Sequence, residues 1–215
     1  MVEIYFLFIG EGSSDEALVP HLEDICIRAG ADEVSGVAPD FARLGRKVGH
    51  DVASKLEAAL LLEPTANLLF VHRDADSRDP EPRREEIERA IERHAIQVAH
   101  VCVVPVQELE AWLLLDEAEI RRVAENPNGR VALKLPPPQT VENVANPKER
   151  LRDVLLTASE ATGRRRQRFS SQFDDHRRLL AERLNASGPL STVPSWRRLF
   201  ADLTAAIERL RGKGT

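Results

Sequence analysis

Residues 2–16 read Val2-Glu3-Ile4-Tyr5-Phe6-Leu7-Phe8-Ile9-Gly10-Glu11-Gly12-Ser13-Ser14-Asp15-Glu16, and this stretch decides the fold class. An almost wholly apolar, β-prone run that stops at a glycine predicts a strand buried on both faces, the kind found in parallel sheets covered by helices. The period then changes. Ser13 or Ser14 can serve as N-cap, and Leu18, Leu22, Ile25 and Ala29 recur at three- and four-residue steps, which predicts a helix over 15–29.

The same reading extends outward. A weak strand over 34–38 leads to Val48, Val52, Leu56, Ala59 and Leu60 at helical spacing, ended by Pro64. A second apolar run over 67–72 stops at Arg73-Asp74-Ala75-Asp76. An exposed crossover helix over 80–94 keeps Ile87, Ala90, Ile91 and Ala95 on one side, and a strand over 98–104 precedes a helical pattern over 106–115. Strands alternating with helices predict an α/β protein with a parallel-sheet core over 1–124 and flanking helices. Beyond it, Asn126-Pro127-Asn128-Gly129 is a turn and Pro136-Pro137-Pro138 a stiff connector. Helices follow over 147–158, 173–185 and 195–210, so 125–215 is expected as a helical, Arg-rich extension packed on the core.

Charge divides the same way. Residues 1–120 hold 25 acidic and 11 basic side chains and residues 121–215 hold 10 and 19, within a net charge of -5. An acidic front and a basic back point to a cation on one side and a polyanion on the other. With 42% hydrophobic residues the chain is globular, and its longest apolar runs fall far short of the ~20 residues of a membrane span. Met1-Val2-Glu3 lacks the basic start of a signal peptide, and Cys26 and Cys102 sit among apolar neighbours. A cytoplasmic protein with reduced, buried thiols is expected. No Cys/His spacing matches a zinc site.

Three segments end in acid: Glu11 with Asp15 and Glu16, then Asp74 and Asp76, then Glu108 and Glu110. Each has a bland explanation alone, as a turn residue, a helix-start residue or a solvated helix face. In a parallel sheet, however, strand carboxyl ends share one edge, and carboxylates crowded there call for a hard divalent cation. Ala75 permits Asp74 and Asp76 to project the same way from an extended strand end, and Gly12 lets the backbone approach a phosphate or metal.

In this order the motifs resemble a Toprim-like domain, above all the small bacterial Toprim-like proteins (DUF4276-like) related to overcoming-lysogenization-defect nucleases. Those relatives typically carry Glu-Gly-x-Thr-Glu, Asp-x-Asp, a Glu-x-Glu-Ala stretch and a Pro-Ser-Lys-Arg-Leu-like stretch. Here stand Glu11-Gly12-Ser13-Ser14-Asp15, Asp74-Ala75-Asp76, Glu108-Leu109-Glu110-Ala111 and Asn146-Pro147-Lys148-Glu149-Arg150-Leu151. Ser14 replaces the Thr, and Asp15 replaces the Glu with one methylene less reach. The resemblance implies a Mg2+- or Mn2+-dependent nuclease that hydrolyses phosphodiester bonds of DNA or RNA in an anti-phage defence or toxin module, with two ions ~4 Å apart. The implied metal ligands are Glu11, Asp15, Asp74, Asp76, Glu108 and Glu110. The implied catalytic residues are Glu11, Asp74 and Lys148, the lysine opposing charge on the phosphorus centre. Tyr5, the single tyrosine, lies inside the first strand, which argues against a topoisomerase. No Walker A pattern occurs, so any gating ATPase is a separate subunit; a homo-oligomer stays open.

Of the 30 basic residues 25 are arginine. Arg164, Arg165, Arg166 and Arg168, beside Phe169, form the densest cluster and the candidate nucleic-acid contact, since guanidinium groups grip phosphate bidentately and stack on bases. A solvated helix face explains the same run. Trp112 and Trp196 read as core, and His72 as a packed residue that supports the acids. Two other functions stand beside the nuclease: a nonhydrolytic module that binds nucleic acid or protein, and a metal-dependent nucleotide phosphatase or transferase.

Overall fold

In the computed structural model, which describes residues 1–213, the N-terminal apolar run forms β1 (Glu3–Ile9) of a four-stranded, wholly parallel sheet. The others are β2 (Glu33–Val37), β3 (Leu68–His72) and β4 (Ala99–Val103), in the order β2-β1-β3-β4. Phe6 pairs with Gly36 on one side and Leu68 on the other, and Val71 joins Ile9 to Cys102.

Alternation along the strands builds two apolar layers. Leu7, Ile9, Leu69, Val71 and Cys102 face α2 (Val52–Leu62) and α3 (Glu81–Arg93), meeting Leu56, Ala59, Ile87 and Ile91. Phe6, Phe8, Phe70 and Val103 face the other way, toward α1 (Val19–Arg28) and α9 (Pro194–Lys213). That second layer also takes in α4 (Glu110–Leu113), α5 (Glu117–Val123), α6 (Pro147–Ala158), α7 (Gly163–Ser171) and α8 (Phe173–Glu182), so one core runs from Val2 to Ile207. The expected helical C-terminal part thus packs on the sheet. Trp112 of α4 and Trp196 of α9 meet edge to face at 5.0 Å, and Trp112 Nε1 donates to Ser195 Oγ at 3.0 Å. Such a ring pair contributes about 0.5–1.5 kcal/mol beyond its buried area.

Helix starts follow local chemistry. Asp51 accepts from Ser54 N–H at 2.9 Å at the head of α2, Asp116 caps α5 through Glu119 N–H at 3.1 Å, and Pro147 opens α6. The predicted helix over 15–29 is two pieces, a 3-10 helix Ser13–Leu18 and then α1, with Pro20 in the first turn of α1. The 106–115 pattern contracts to the single turn of α4, and α5 and α7 are helices that periodicity did not predict. Among the described residues no helix is long and apolar enough to cross a membrane.

Topology locates the site. From β1 the chain crosses by α1 to β2 on one flank, then returns by α2 to β3 on the other. The strand order therefore reverses between β1 and β3, and ligands of doubly wound sheets bind outside the carboxyl ends at such a switch point.

Candidate active site at the switch point

β1 and β3 leave the sheet side by side, and each runs into acid. Gly10 leaves little room for a side chain at this exit, since a Cβ there would stand 3.0 Å from the Phe8 ring and 3.2 Å from Asp15 Cβ. Gly12, by contrast, has open space around it. The loop turns so that Glu11 and Gly12 each donate a backbone N–H to Asp15 Oδ2 at 3.0 Å. That oxygen also lies 3.2 Å from His72 Nδ1, while His72 Nε2 lies 3.5 Å from Asp74 Oδ1, an ion-pair distance without hydrogen-bond geometry. Both members of the central pair are buried, His72 at 2% and Asp15 at 5% exposure. Burial pulls the imidazole pKa down, but the carboxylates on its two nitrogens outweigh it and raise His72 to about 10. Burial pushes Asp15 up, yet His72, the Gly12 N–H and Arg177 together lower it to about 2. An imidazolium is thus held between two aspartates.

Around this pair the remaining acids are tied down one by one. Glu11 Oε1 faces Arg73 Nε at 2.9 Å and accepts the Asp74 N–H at 3.2 Å. Asp74 Oδ1 accepts Leu109 N–H at 2.8 Å, which fastens the approach to α4 to the end of β3. Glu110, 1% exposed, pairs with Arg177 Nη1 of α8 at 2.9 Å, and Arg177 Nη2 bonds Ser14 Oγ. Burial raises the Glu110 pKa, Arg177 opposes the rise and the nearby Asp74 adds to it. Lys55 Nζ donates to the Gly10 and Glu11 carbonyls at 2.8 and 2.9 Å, closing the loop from the α2 side. Glu11, Asp15, Asp74 and Glu110 therefore stand at one edge.

Asp76 and Glu108 are directed elsewhere. Asp76 has φ 52° and donates its N–H to Gln107 O at 2.8 Å, and Gln107 itself has φ 66°. Two left-handed residues facing each other break the extended geometry that a shared projection of Asp74 and Asp76 requires, and the Asp76 carboxylate goes to Arg83 at 2.7 Å. Glu108 Oε2 accepts Lys148 N–H at 2.8 Å and so caps α6, whose Asn146 offers no side-chain cap. The Lys148 side chain is half-buried and makes no hydrogen bond or ion pair among the described residues. Arg164, Arg165, Arg166 and Arg168 are all exposed on α7, with no ion pair among the described residues. Phe169 of α7 stacks at 4.1 Å on His176, the neighbour of Arg177.

Fit to a metal follows from which oxygens are committed. Asp15 Oδ2 already has three partners, whereas Glu11 Oε2 and Asp74 Oδ2 make no hydrogen bond or ion pair among the described residues. Among the described residues no group of three or more His, Cys, Asp or Glu side chains could hold a metal ion. The six-ligand set for two ions is therefore not assembled. Mg2+ keeps several waters and takes one or two carboxylates plus substrate phosphate, and Glu11 with Asp74 fits one such ion. Sequence reasoning did not place Arg73, Arg177 or Lys55 at this edge, and it read Arg177 with Arg178 only as part of the basic back. Arg73 adjoins an acid at a strand end and was visible in principle. Arg177 lies 67 residues from Glu110 and sends no local signal.

These features define a class, a doubly wound parallel α/β protein with paired acids at its switch point. Within it the chain belongs to the family described as a domain of unknown function, DUF4276, whose model matches residues 11–203 and so spans both sheet and helical part. No curated protein and no solved structure matches the chain.

Proposed function

We propose that the protein is a Toprim-like, Mg2+-dependent nuclease that hydrolyses phosphodiester bonds of DNA or RNA. The observation that carries this reading is the juxtaposition of Glu11 and Asp74 at the carboxyl ends of adjacent strands, each with one carboxylate oxygen that makes no hydrogen bond or ion pair among the described residues. Those two residues would hold the ion, which when bound supplies Lewis-acid polarisation of a phosphoryl oxygen and a more acidic water. The chain supplies the rest. Arg73 steadies Glu11, the Leu109 N–H steadies Asp74, and the Asp15–His72 pair locks the loop that carries Glu11, so both ligands are preorganised. Lys148 stands at the start of α6, anchored by Glu108 next to Leu109, and its ammonium opposes charge developing on the phosphoryl group. The α7 arginines attract the phosphate backbone. A nucleic-acid partner, a separate ATPase subunit, a cytoplasmic location and service in a defence or toxin module belong to the same reading.

The test is cleavage of plasmid and single-stranded substrates in Mg2+ or Mn2+. Wild type should cut, EDTA should stop it, and Asp74→Ala should lower the rate at least a hundredfold; undiminished cutting by Asp74→Ala removes the assignment. The pairing of Glu11, Asp15 and Glu110 with Arg73, His72 and Arg177 favours one second reading, a nonhydrolytic nucleic-acid binding module. Salt-sensitive binding without cleavage selects it.

A further inference from the structure

A cleft of about 580 Å³ opens beside Glu11, between the Gly10-Glu11-Gly12 loop, the segment that follows β2 and the approach to α2. Phe8, Phe41, Arg46, His50 and Lys55 contribute to its walls. One wall comes from the segment 41–50, of which Phe41, Ala42, Arg46, Val48, Gly49 and His50 line the cleft; the segment holds three of the 11 basic residues of the acidic front, a histidine and no acid. Gly45 at φ 63° lets this segment turn. Arg43 is committed to Glu63 at 2.8 Å and Lys55 to two carbonyls. Arg46, Lys47 and His50 are exposed and make no ion pair or hydrogen bond among the described residues. The acids of the cleft are Glu11, Glu16 and Asp40. Glu11 is matched by Arg73, Asp40 accepts the Ala42 N–H at 3.0 Å and keeps its charge, and Glu16 makes no ion pair among the described residues, so the positive charge is local to the Arg46 side.

Unmatched cations gathered on one rim of an otherwise acidic half create a local attraction for anions. The cleft volume falls in the range of ~300–1,000 Å³ typical of small-ligand sites, which suits a strand of single nucleotides rather than a duplex. Phe41, half-buried at the wall, offers a face on which a base can stack. The cleft ends at Glu11, one of the two residues assigned to the ion. We infer that it receives single-stranded nucleic acid on one side of the scissile phosphate, with phosphates on Arg46 and His50, the exposed Lys47 adding positive charge beside Arg46, and a base against Phe41. The position of the scissile phosphate rests on the nuclease reading; the binding itself does not.

Fluorescence anisotropy with a labelled oligothymidylate of about 12 nucleotides, in EDTA, tests the binding apart from any cleavage. Arg46→Glu/Lys47→Glu should weaken binding at least tenfold and lower the salt slope by ~0.7 for each phosphate no longer held. The charge-matched Arg89→Glu/Arg93→Glu, on the half of α3 that leads to the amino end of β4, should change affinity less than twofold. Equal effects of the two double variants, or duplex binding as tight as single-strand binding, would overturn the inference. So would displacement by thymidine monophosphate at the same concentration as by unlabelled oligonucleotide, since a free-nucleotide pocket and not a strand would then be present. Binding as described with no cleavage in Mg2+ keeps the cleft and removes the nuclease; cleavage indifferent to Arg46 and Lys47 does the reverse.

Discussion

His72 is a cation enclosed by two aspartates, and the pH dependence of folding should report it. Its folded pKa of about 10 lies above the ordinary 6.5, so its stabilising contribution is complete below pH 6.5 and disappears as pH rises through 10. Asp15, lowered from 3.8 to about 2, contributes fully above pH 3.8 and loses its contribution as pH falls through 2. Urea unfolding of the metal-free protein should therefore show stability declining by up to ~1.4 kcal/mol per pH unit between 6.5 and 10, a slope absent in His72→Gln. A profile indifferent to that substitution would mean that His72 is neutral. Asp15→Asn, which leaves the imidazolium short of its nearer partner, should cost about 3–5 kcal/mol at pH 7, measured by the same titration. At this scale Glu11 and Asp74 were legible in the sequence because apolar strands that stop in acid mark a sheet edge. The course of Asp76 was not, because its left-handed backbone depends on pairing with Gln107, 31 residues away.

Helix α8 reaches the acid edge through one side chain. Arg177 bridges Glu110 and Ser14, so it joins the C-terminal helices to the loop that carries Glu11. Glu110 is buried, and removing its partner strands a charge. Arg177→Met should destabilise by about 3–5 kcal/mol, and Arg177→Met/Glu110→Leu should recover most of that loss, because an apolar pair replaces a buried ion pair at little cost. Equal instability of single and double variants by denaturant titration would refute the electrostatic account. The elements themselves were legible where the apolar period was strong: Pro147–Ala158 matches its predicted span, and β3 and β4 fall within a residue of theirs. α7 escaped because only Phe169 on it is buried, and an arginine run carries no apolar stripe for periodicity to find.

The whole molecule is a sheet whose second apolar layer is completed by the C-terminal helices, with Trp112 and Trp196 in contact across that layer. Front and back should consequently unfold together, and near-ultraviolet and far-ultraviolet circular dichroism should share one midpoint; two separated midpoints would show two cores. The charge division along the sequence has a spatial meaning at this scale. Acids at the switch point are met by cations from the front, Arg73 and His72, and from the back, Arg177, and Glu11 and Asp74 each keep one carboxylate oxygen with no partner among the described residues. That remainder is the central claim, and calorimetric titration with Mg2+ tests it most directly. Wild type and Asp76→Asn should each bind one ion, whereas Glu11→Gln and Asp74→Asn should each lose at least tenfold in affinity. Binding that survives both of the latter substitutions, or that depends on Asp76, would contradict it.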